Sequence, residues 1–157
     1  MNSSGPCILV ADDNQDDIVM LRRAFGKIGL EPRLYSVCDG AEAIDYLAGK
    51  GRFADRREFP LPDLMLLDLK MPRRDGFDVL TWIRTQPAFR ALRVIVLTGY
   101  PDSHAIEQAY ELGAASFLQK PVDFVEFPHL IQSMQHFCIS APAAVASAVS
   151  PSAARAN

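Results

Sequence analysis

Polar side chains follow four of the apolar runs of this sequence, at the point where each run ends. They are the acid pair Asp12-Asp13, then Asp68, Thr98 and Lys120. In an open parallel sheet the C-terminal ends of the strands share one edge, and ligands bind in the crevice beyond that edge. If the apolar runs are strands of one such sheet, then three carboxylates, a hydroxyl and an ammonium group converge there.

Carboxylates that are brought together repel one another and raise one another's pKa values unless a cation offsets them. Mg²⁺ takes carboxylate and carbonyl oxygens as ligands, so the residue types predict a Mg²⁺ site at Asp12, Asp13 and Asp68. Asp68 would then lie between the metal and Lys120, which suits its carboxylate to attack a phosphoryl group and form an acyl phosphate. Thr98 would donate to a phosphoryl oxygen, and Lys120 would offset the charge that develops during transfer.

Each of these residues also has an ordinary structural explanation. An acid pair directly before a helical segment is often an N-cap, and this is the better interpretation of Asp12-Asp13 taken alone. Thr98 fits simple β-propensity, Lys120-Pro121 is typical of a turn, and Asp68 can cap a loop. Because all of them fall at the ends of predicted strands, the joint pattern favours the functional interpretation.

The elements that would position these side chains can be predicted from periodicity. Short β-rich runs alternate with segments of helical period, which predicts an α/β fold with crossover helices. The first, third and fourth runs are nearly continuous in apolar residues, as central strands covered on both faces require. The last helix is predicted to begin near Asp123, which can cap it. The five runs are residues 7–13, 33–39, 63–70, 93–100 and 115–121.

Length and composition limit the classes of function. A chain of 157 residues that is 49% hydrophobic can bury one core, and its net charge of −3 gives no general attraction to nucleic acid or to anionic membranes. Three widely spaced cysteines and the lack of a long apolar run predict a cytoplasmic protein without disulfides. We expect one domain over residues 1–138, followed by a disordered tail rich in Ala, Ser and Pro over residues 139–157.

The segments "VADDN", "LLDLKMPRRDGFDVL", "VIVLTGY" and "FLQKPVDF" resemble the receiver domain of bacterial two-component response regulators. The resemblance implies a doubly wound, flavodoxin-like (βα)₅ fold with strand order 2-1-3-4-5. It also implies phosphorylation of Asp68 by a histidine kinase, self-phosphorylation and autodephosphorylation that depend on Mg²⁺, and a cis bond before Pro121. The implied ligands of Mg²⁺ are Asp12, Asp13, Asp68 and the carbonyl of Lys70; the implied switch residues are Thr98 and Phe117.

A narrower resemblance is to the stand-alone receivers that accompany phytochrome kinases. It rests on the long polar segment 49–62, which is predicted to be a surface loop, and on the 19 residues that follow Cys138. It implies a phytochrome-like kinase as partner, output through contacts with another protein, and a homodimer. The dimer would form through the fourth helix, fifth strand and fifth helix, or through the fifth helix and its extension.

Two other interpretations remain open from the sequence. Phosphatases of the haloacid dehalogenase type also form an aspartyl phosphate at a strand end, but they need a second acid two residues later, where this chain has Lys70. A degenerate receiver that acts only as a scaffold is the other alternative. The presence of the complete set of acids, hydroxyl and ammonium argues against it.

Overall fold

The computed structural model describes residues 5–99 and 101–135. Tyr100, Cys138 and the predicted tail lie outside the described residues. The strands are β1 (Cys7–Ala11), β2 (Arg33–Val37), β3 (Leu64–Leu67), β4 (Arg93–Thr98) and β5 (Ser116–Gln119). The helices are α1 (Gln15–Lys27), α2 (Gly40–Ala48), α3 (Gly76–Arg84), α4 (Ser103–Glu111) and α5 (Phe127–Ser133), with 3₁₀ turns at Gly51–Phe53, Pro87–Phe89 and Phe124–Glu126.

All five strands are parallel, and their order is β2-β1-β3-β4-β5, which confirms the predicted fold. The chain goes from β1 outward to β2 and returns to β3 on the other side of β1, so the strand order reverses between β1 and β3. A doubly wound sheet opens its crevice at this reversal. Ala11 pairs with Leu67 across the two strands, so the residues that follow them, Asp12 and Asp68, emerge side by side.

The side chains of the central strands alternate between two hydrophobic clusters, one on each face of the sheet. On one face Ile8 and Leu66 pack against α1 and α5. On the other face Leu9 and Met65 pack against α2, α3 and α4. Fully burying one such side chain contributes about 1.5–3 kcal/mol, so coverage on both faces explains why these strands are nearly all apolar.

The strands end earlier than the apolar runs predicted. β1 ends at Ala11 and β3 at Leu67, whereas the predicted runs included Asp13 and Lys70. Beyond the end of each strand, one more backbone hydrogen bond joins the chain to the neighbouring strand. The Asp12 N–H donates to Val37 O over 3.0 Å, and the Asp68 N–H donates to Ala11 O over 2.9 Å. The carboxylates therefore lie on loops that the sheet still holds rigidly.

Segment 49–62 lies at the surface, as predicted, and side-chain contacts hold it against the fold. Phe53 is 4% exposed within a cluster of aromatic rings that includes Tyr46 and Phe59. The guanidinium of Arg56 donates to the carbonyl oxygens of Tyr46 (2.9 Å), Leu47 (2.7 Å) and Phe59 (3.1 Å). Arg56 therefore adds a charged donor to two carbonyls in the last turn of α2 and ties them to the loop carbonyl of Phe59.

The last helix begins with a 3₁₀ turn. The side chain of Asp123 accepts from the Val125 N–H over 3.1 Å, as the prediction of a cap required, but regular helix begins only at Phe127. Pro128 lies in the first helical turn, where its missing N–H removes no internal bond. Among the described helices, none has both the length and the apolar character needed to cross a membrane.

Candidate functional site

The two acids that follow β1, Asp12 and Asp13, differ in their exposure to solvent. Asp12 is buried at 2% exposure, and its Oδ1 accepts from the Asn14 N–H over 2.9 Å, whereas Asp13 is exposed. The N-cap of α1 is Asn14, whose side chain accepts from the N–H groups of Asp16 and Asp17. The acid pair is therefore not the helix cap, and the ordinary explanation of Asp12-Asp13 is wrong.

The carboxylate of Asp68 lies beside Asp12, at 7% exposure. Its Oδ1 accepts from the Lys70 N–H over 3.4 Å, which keeps the main chain of Lys70 next to the site. The chain then folds back: the Gly76 N–H donates to Leu69 O over 2.9 Å, and a Cβ at Gly76 would lie 2.5 Å from Asp68 O. Glycine is required at residue 76 because no side chain fits at that distance.

Asp12, Asp13 and Asp68 together form an acidic cluster. One carboxylate oxygen from each lies within 4.8 Å of the others, which is a separation that a single ion can bridge. Three carboxylate oxygens at this separation would suit a hard divalent cation that keeps several waters. The predicted ligand set of carboxylates therefore fits the geometry, and the Lys70 carbonyl stays a prediction.

Lys120 brings a positively charged side chain to this site. Its ammonium group contacts the Oδ2 atoms of Asp12 (2.7 Å), Asp17 (2.8 Å) and Asp68 (3.2 Å), and its side chain is 11% exposed. The predicted meeting of Lys120 with Asp12 and Asp68 is correct. Asp17 was missed, because an acid in the first turn of a helix is the usual complement to the helix dipole. The sequence gives no signal that separates Asp17 from Asp16, which lies in the same helical turn.

The electrostatics follow from one ammonium group facing three carboxylates. Burial raises the pKa of Asp12 to about 6, although its hydrogen bond from Lys120 opposes the shift. Burial by itself lowers the pKa of Lys120, but the hydrogen bonds to Asp12 and Asp17 outweigh burial and raise it. Lys120 is therefore firmly charged, and an added cation would offset the cost of burying the charged form of Asp12.

The two predicted switch residues lie on neighbouring strands. Thr98 ends β4, is 2% exposed and lines a crevice of about 700 Å³ together with Asp13, Lys70 and His104. Phe117 on β5 is half-buried and packs against the hydrophobic cluster on the α4 side of the sheet. Core packing therefore describes Phe117 in this conformation, and a switching role stays a prediction.

Two expectations around this site have different outcomes. No cis peptide bond occurs in residues 5–99 and 101–135, so the bond before Pro121 is trans and the expected cis bond is wrong. Trans is the lower-energy isomer by about 0.5–1 kcal/mol for bonds that precede proline. The resemblance also predicts that Tyr100 slows autodephosphorylation, and Tyr100 lies outside the described residues.

Comparison with known proteins identifies the family. The sequence matches the response regulator receiver domain over residues 8–132. The chain belongs to this family. Its signalling class is therefore two-component phosphorelay signalling, and the alternative of a haloacid dehalogenase phosphatase is not needed to explain an aspartate at a strand end.

Three relatives cover most of the chain. Response regulator Rcp1 of Synechocystis is 27% identical over 83% of this chain and 86% of its own. A Mn²⁺-bound structure of Rcp1 is 26% identical, with a TM-score of 0.77 and coverage of 87% of this chain and 96% of that chain. The phosphorylated cyanobacterial phytochrome response regulator RcpA is 28% identical, with a TM-score of 0.79 and coverage of 87% and 96%. RPA3017, from red light signalling in R. palustris, is 36% identical, with a TM-score of 0.79 and coverage of 86% and 94%. The chain is thus similar to receivers that are themselves little longer than this domain.

Proposed function

We propose that the carboxylate of Asp68 accepts a phosphoryl group from a partner histidine kinase. An Asp68 oxygen attacks phosphorus, the new P–O bond forms as the P–N bond of the phosphohistidine breaks, and the imidazole nitrogen keeps the electron pair of that bond. The observation that carries this proposal is the position of Asp68 Oδ2, 3.2 Å from Lys120 Nζ and within one cluster with Asp12 and Asp13.

Asp68 is the best candidate for the nucleophile among the three clustered acids. Asp12 is more buried than Asp68, and its contacts with the Asn14 N–H (2.9 Å) and Lys120 (2.7 Å) are shorter than those of Asp68 with the Lys70 N–H (3.4 Å) and Lys120 (3.2 Å). Asp13 is exposed at the rim. Asp68 lies at the centre of the sheet edge, where Lys120 on one side and a cation on the other can offset charge on the transferred group.

The residues fit a divalent cation, which we propose is Mg²⁺, held by Asp12, Asp13, Asp68 and the Lys70 carbonyl. Such an ion would supply positive charge next to the phosphoryl oxygens. A solved structure of the relative Rcp1 is described as a Mn²⁺-bound form, which supports a divalent site of this kind. The chain's own part is to hold the three carboxylates on rigid strand ends and to exclude water from Asp12.

Thr98 and Lys120 would complete the site. The Thr98 hydroxyl, at the end of the neighbouring strand, would move to donate to a phosphoryl oxygen. The half-buried side chain of Phe117 would then shift with Thr98. Lys70 and Tyr100 would shield the acyl phosphate from water and so slow autodephosphorylation, because hydrolysis needs a water in line with the breaking bond.

The first prediction concerns Asp68→Asn, which keeps the shape of the side chain and removes the nucleophile. Acetyl phosphate with Mg²⁺ should add one phosphoryl group to the wild-type chain, as detected by intact mass, and should add none to the variant. Removing Mg²⁺ with a chelator should abolish labelling of the wild-type chain. Stable labelling of Asp68→Asn would contradict the assignment, and unchanged melting temperatures would show that folding is not the cause.

The partners follow from the same relatives. We propose that this protein acts in the cytoplasm with a histidine kinase of the phytochrome type, because RcpA and RPA3017 are described as response regulators of phytochrome and of red light signalling. Phosphotransfer from a purified phytochrome kinase to wild type, and none to Asp68→Asn, tests this pairing. We further propose that the domain ends near residue 138 and that output passes through contacts with another protein.

We also propose a homodimer through the fourth helix, fifth strand and fifth helix, or through the fifth helix and its extension. Three apolar residues of α5 cannot contribute to this interface because they are buried in the core, namely Phe127, Leu130 and Ile131. The residues before α5 supply the apolar surface, because Val122 is 97% exposed, Val125 69% and Phe124 56%. Light scattering with and without a phosphoryl mimic tests the dimer, and a monomer under both conditions would rule it out.

A further inference from the structure

Asp17 is the acid at this site that the metal cluster does not include. It lies in the first turn of α1, and its Oδ2 is 2.8 Å from Lys120 Nζ. Its side chain is 16% exposed, whereas the neighbouring Asp16 is exposed to solvent. The carboxylates that can share one ion are Asp12, Asp13 and Asp68.

We propose that Asp17 is a positioning residue that holds the ammonium group of Lys120 beside Asp68. The other two acids that contact Lys120, Asp12 and Asp68, would also bind the metal. The proposal rests on the proposed phosphorylation of Asp68. An ammonium group has three N–H donors, and the three contacts of Lys120 assign one donor to each of Asp12, Asp17 and Asp68.

Metal binding and phosphoryl transfer change two of these contacts. Oxygens of Asp12 and Asp68 that bind a cation would have less charge to offer Lys120, and phosphorylation would turn the Asp68 carboxylate into an acyl phosphate. Asp17 keeps a full carboxylate for Lys120 throughout. With this contact as a fixed point, one N–H of Lys120 can turn toward a phosphoryl oxygen without the side chain leaving the site.

The physical need for such a contact comes from the lysine side chain. Its four-carbon stem is flexible, and holding the charge in one position costs conformational entropy. A partner that already orders the ammonium group removes that cost from the transfer step, which is how positioning raises rates. Lys120 follows β5, while Asp17 is 103 residues earlier on α1, so the contact also fixes the distance between these two elements.

The ordinary explanation is that Asp17 only complements the dipole of α1. Asp16 is the matched control for that explanation, because it lies in the same helical turn and its exposed carboxylate faces the same helix end. A dipole effect predicts that both acids behave alike, whereas a positioning effect predicts that Asp17 alone affects phosphorylation.

The test measures the rate of phosphorylation by acetyl phosphate as a function of Mg²⁺. Asp17→Ala should lower the rate at saturating Mg²⁺ by about tenfold and leave the half-saturating Mg²⁺ concentration unchanged. Asp17→Asn, which is isosteric and still accepts a hydrogen bond, should retain part of the rate. Asp16→Ala should match the wild-type chain. In a Lys120→Ala background, Asp17→Ala should have no further effect.

A second readout does not depend on phosphorylation. In ¹⁵N spectra of the lysine ammonium groups, the Lys120 signal, assigned by its loss in Lys120→Ala, should be protected from exchange in the wild-type chain and lose that protection in Asp17→Ala. Asp16→Ala should retain it. Circular dichroism melts of both Asp17 variants identify any that fail to fold.

The outcomes separate the two proposals. A wild-type rate in Asp17→Ala, an equal loss in Asp16→Ala, or an undiminished effect in the Lys120→Ala background would overturn the role of Asp17. Labelling of Asp68→Asn, or none in the wild-type chain, would instead overturn the phosphoacceptor. In that case the exchange protection of Lys120 still decides whether Asp17 holds the ammonium group.

Discussion

At the scale of single residues, the site is defined by an imbalance of charge. Asp12 and Asp68 each have an ion pair with Lys120, whereas the exposed Asp13 has none with any residue in 5–99 or 101–135. Asp13 therefore adds repulsion to the metal-free protein, and a bound cation would be attracted to its charge.

The second prediction tests this imbalance with Asp13→Asn. The variant should bind Mg²⁺ at least about tenfold more weakly, because a ligand charge is lost. Its melting temperature without metal should equal or exceed that of the wild-type chain, because repulsion is relieved. Asp16→Asn is the control for a change of charge outside the cluster. An unchanged Mg²⁺ affinity together with a lower metal-free melting temperature would contradict the prediction.

At the scale of elements, two side chains tie loops to helix ends. Arg56 closes the C-terminus of α2 onto segment 49–62, as its three carbonyl contacts show. Asp39 caps the N-terminus of α2 and also pairs with Arg73, a residue at φ 66° in the loop after Asp68. A non-glycine residue in the left-handed region is strained, and the ion pair helps to hold it there.

The third prediction concerns Arg56. Arg56→Ala should lower the free energy of unfolding by about 1–3 kcal/mol, because buried carbonyls at the end of α2 lose a charged donor. The control is Arg57→Ala, whose side chain is 95% exposed and should change stability by less than about 0.5 kcal/mol. Urea unfolding measures both. Equal stabilities of the two variants would show that segment 49–62 does not depend on Arg56.

The fourth prediction concerns pH and Asp39. Partial burial by itself raises the pKa of Asp39, but the hydrogen bonds from Arg73 and from the Glu42 N–H outweigh burial and lower it. A lowered pKa in the folded state stabilises the fold above the unfolded pKa of about 3.9, and this contribution is lost as the pH falls through the folded value.

The variant Asp39→Asn keeps a capping oxygen and loses the charge. It should be less stable than the wild-type chain at neutral pH, and the difference should shrink as the pH falls below about 4. Urea midpoints at several pH values measure this difference. A difference that stays constant down to acid pH would mean that the cap, and not the ion pair, explains the effect.

At the scale of the whole molecule, one parallel sheet with helices on both faces carries the site at the reversal of strand order. The hydrophobic clusters on the two faces are built from described residues up to Met134. Segment 139–157 lies outside the described residues, and its composition offers few large apolar side chains.

The fifth prediction is that deleting residues 141–157 leaves the melting temperature and the rate of phosphorylation nearly unchanged, because the deleted residues have little apolar surface to bury. Thermal unfolding and labelling by acetyl phosphate of the truncated and full chains measure this. A fall of many degrees on truncation would show that the tail contributes to the fold.

The sequence by itself determined the order of the elements and the convergence of Asp12, Asp68 and Lys120. Apolar runs and helical periods report which residues are buried, and the geometry of a parallel sheet then brings the ends of its strands together. The family could be identified for the same reason, because its motifs lie at those strand ends.

Only the tertiary structure decided which polar partners meet. It assigned the N-cap to Asn14 rather than to the acid pair, brought Arg56 onto the end of α2, and placed Asp17 on an ammonium group 103 residues away in sequence. Burial follows from a local pattern of side chains. A hydrogen bond or ion pair instead depends on where two distant segments come within about 3 Å of each other, and the packing of the whole sheet and its helices sets that distance.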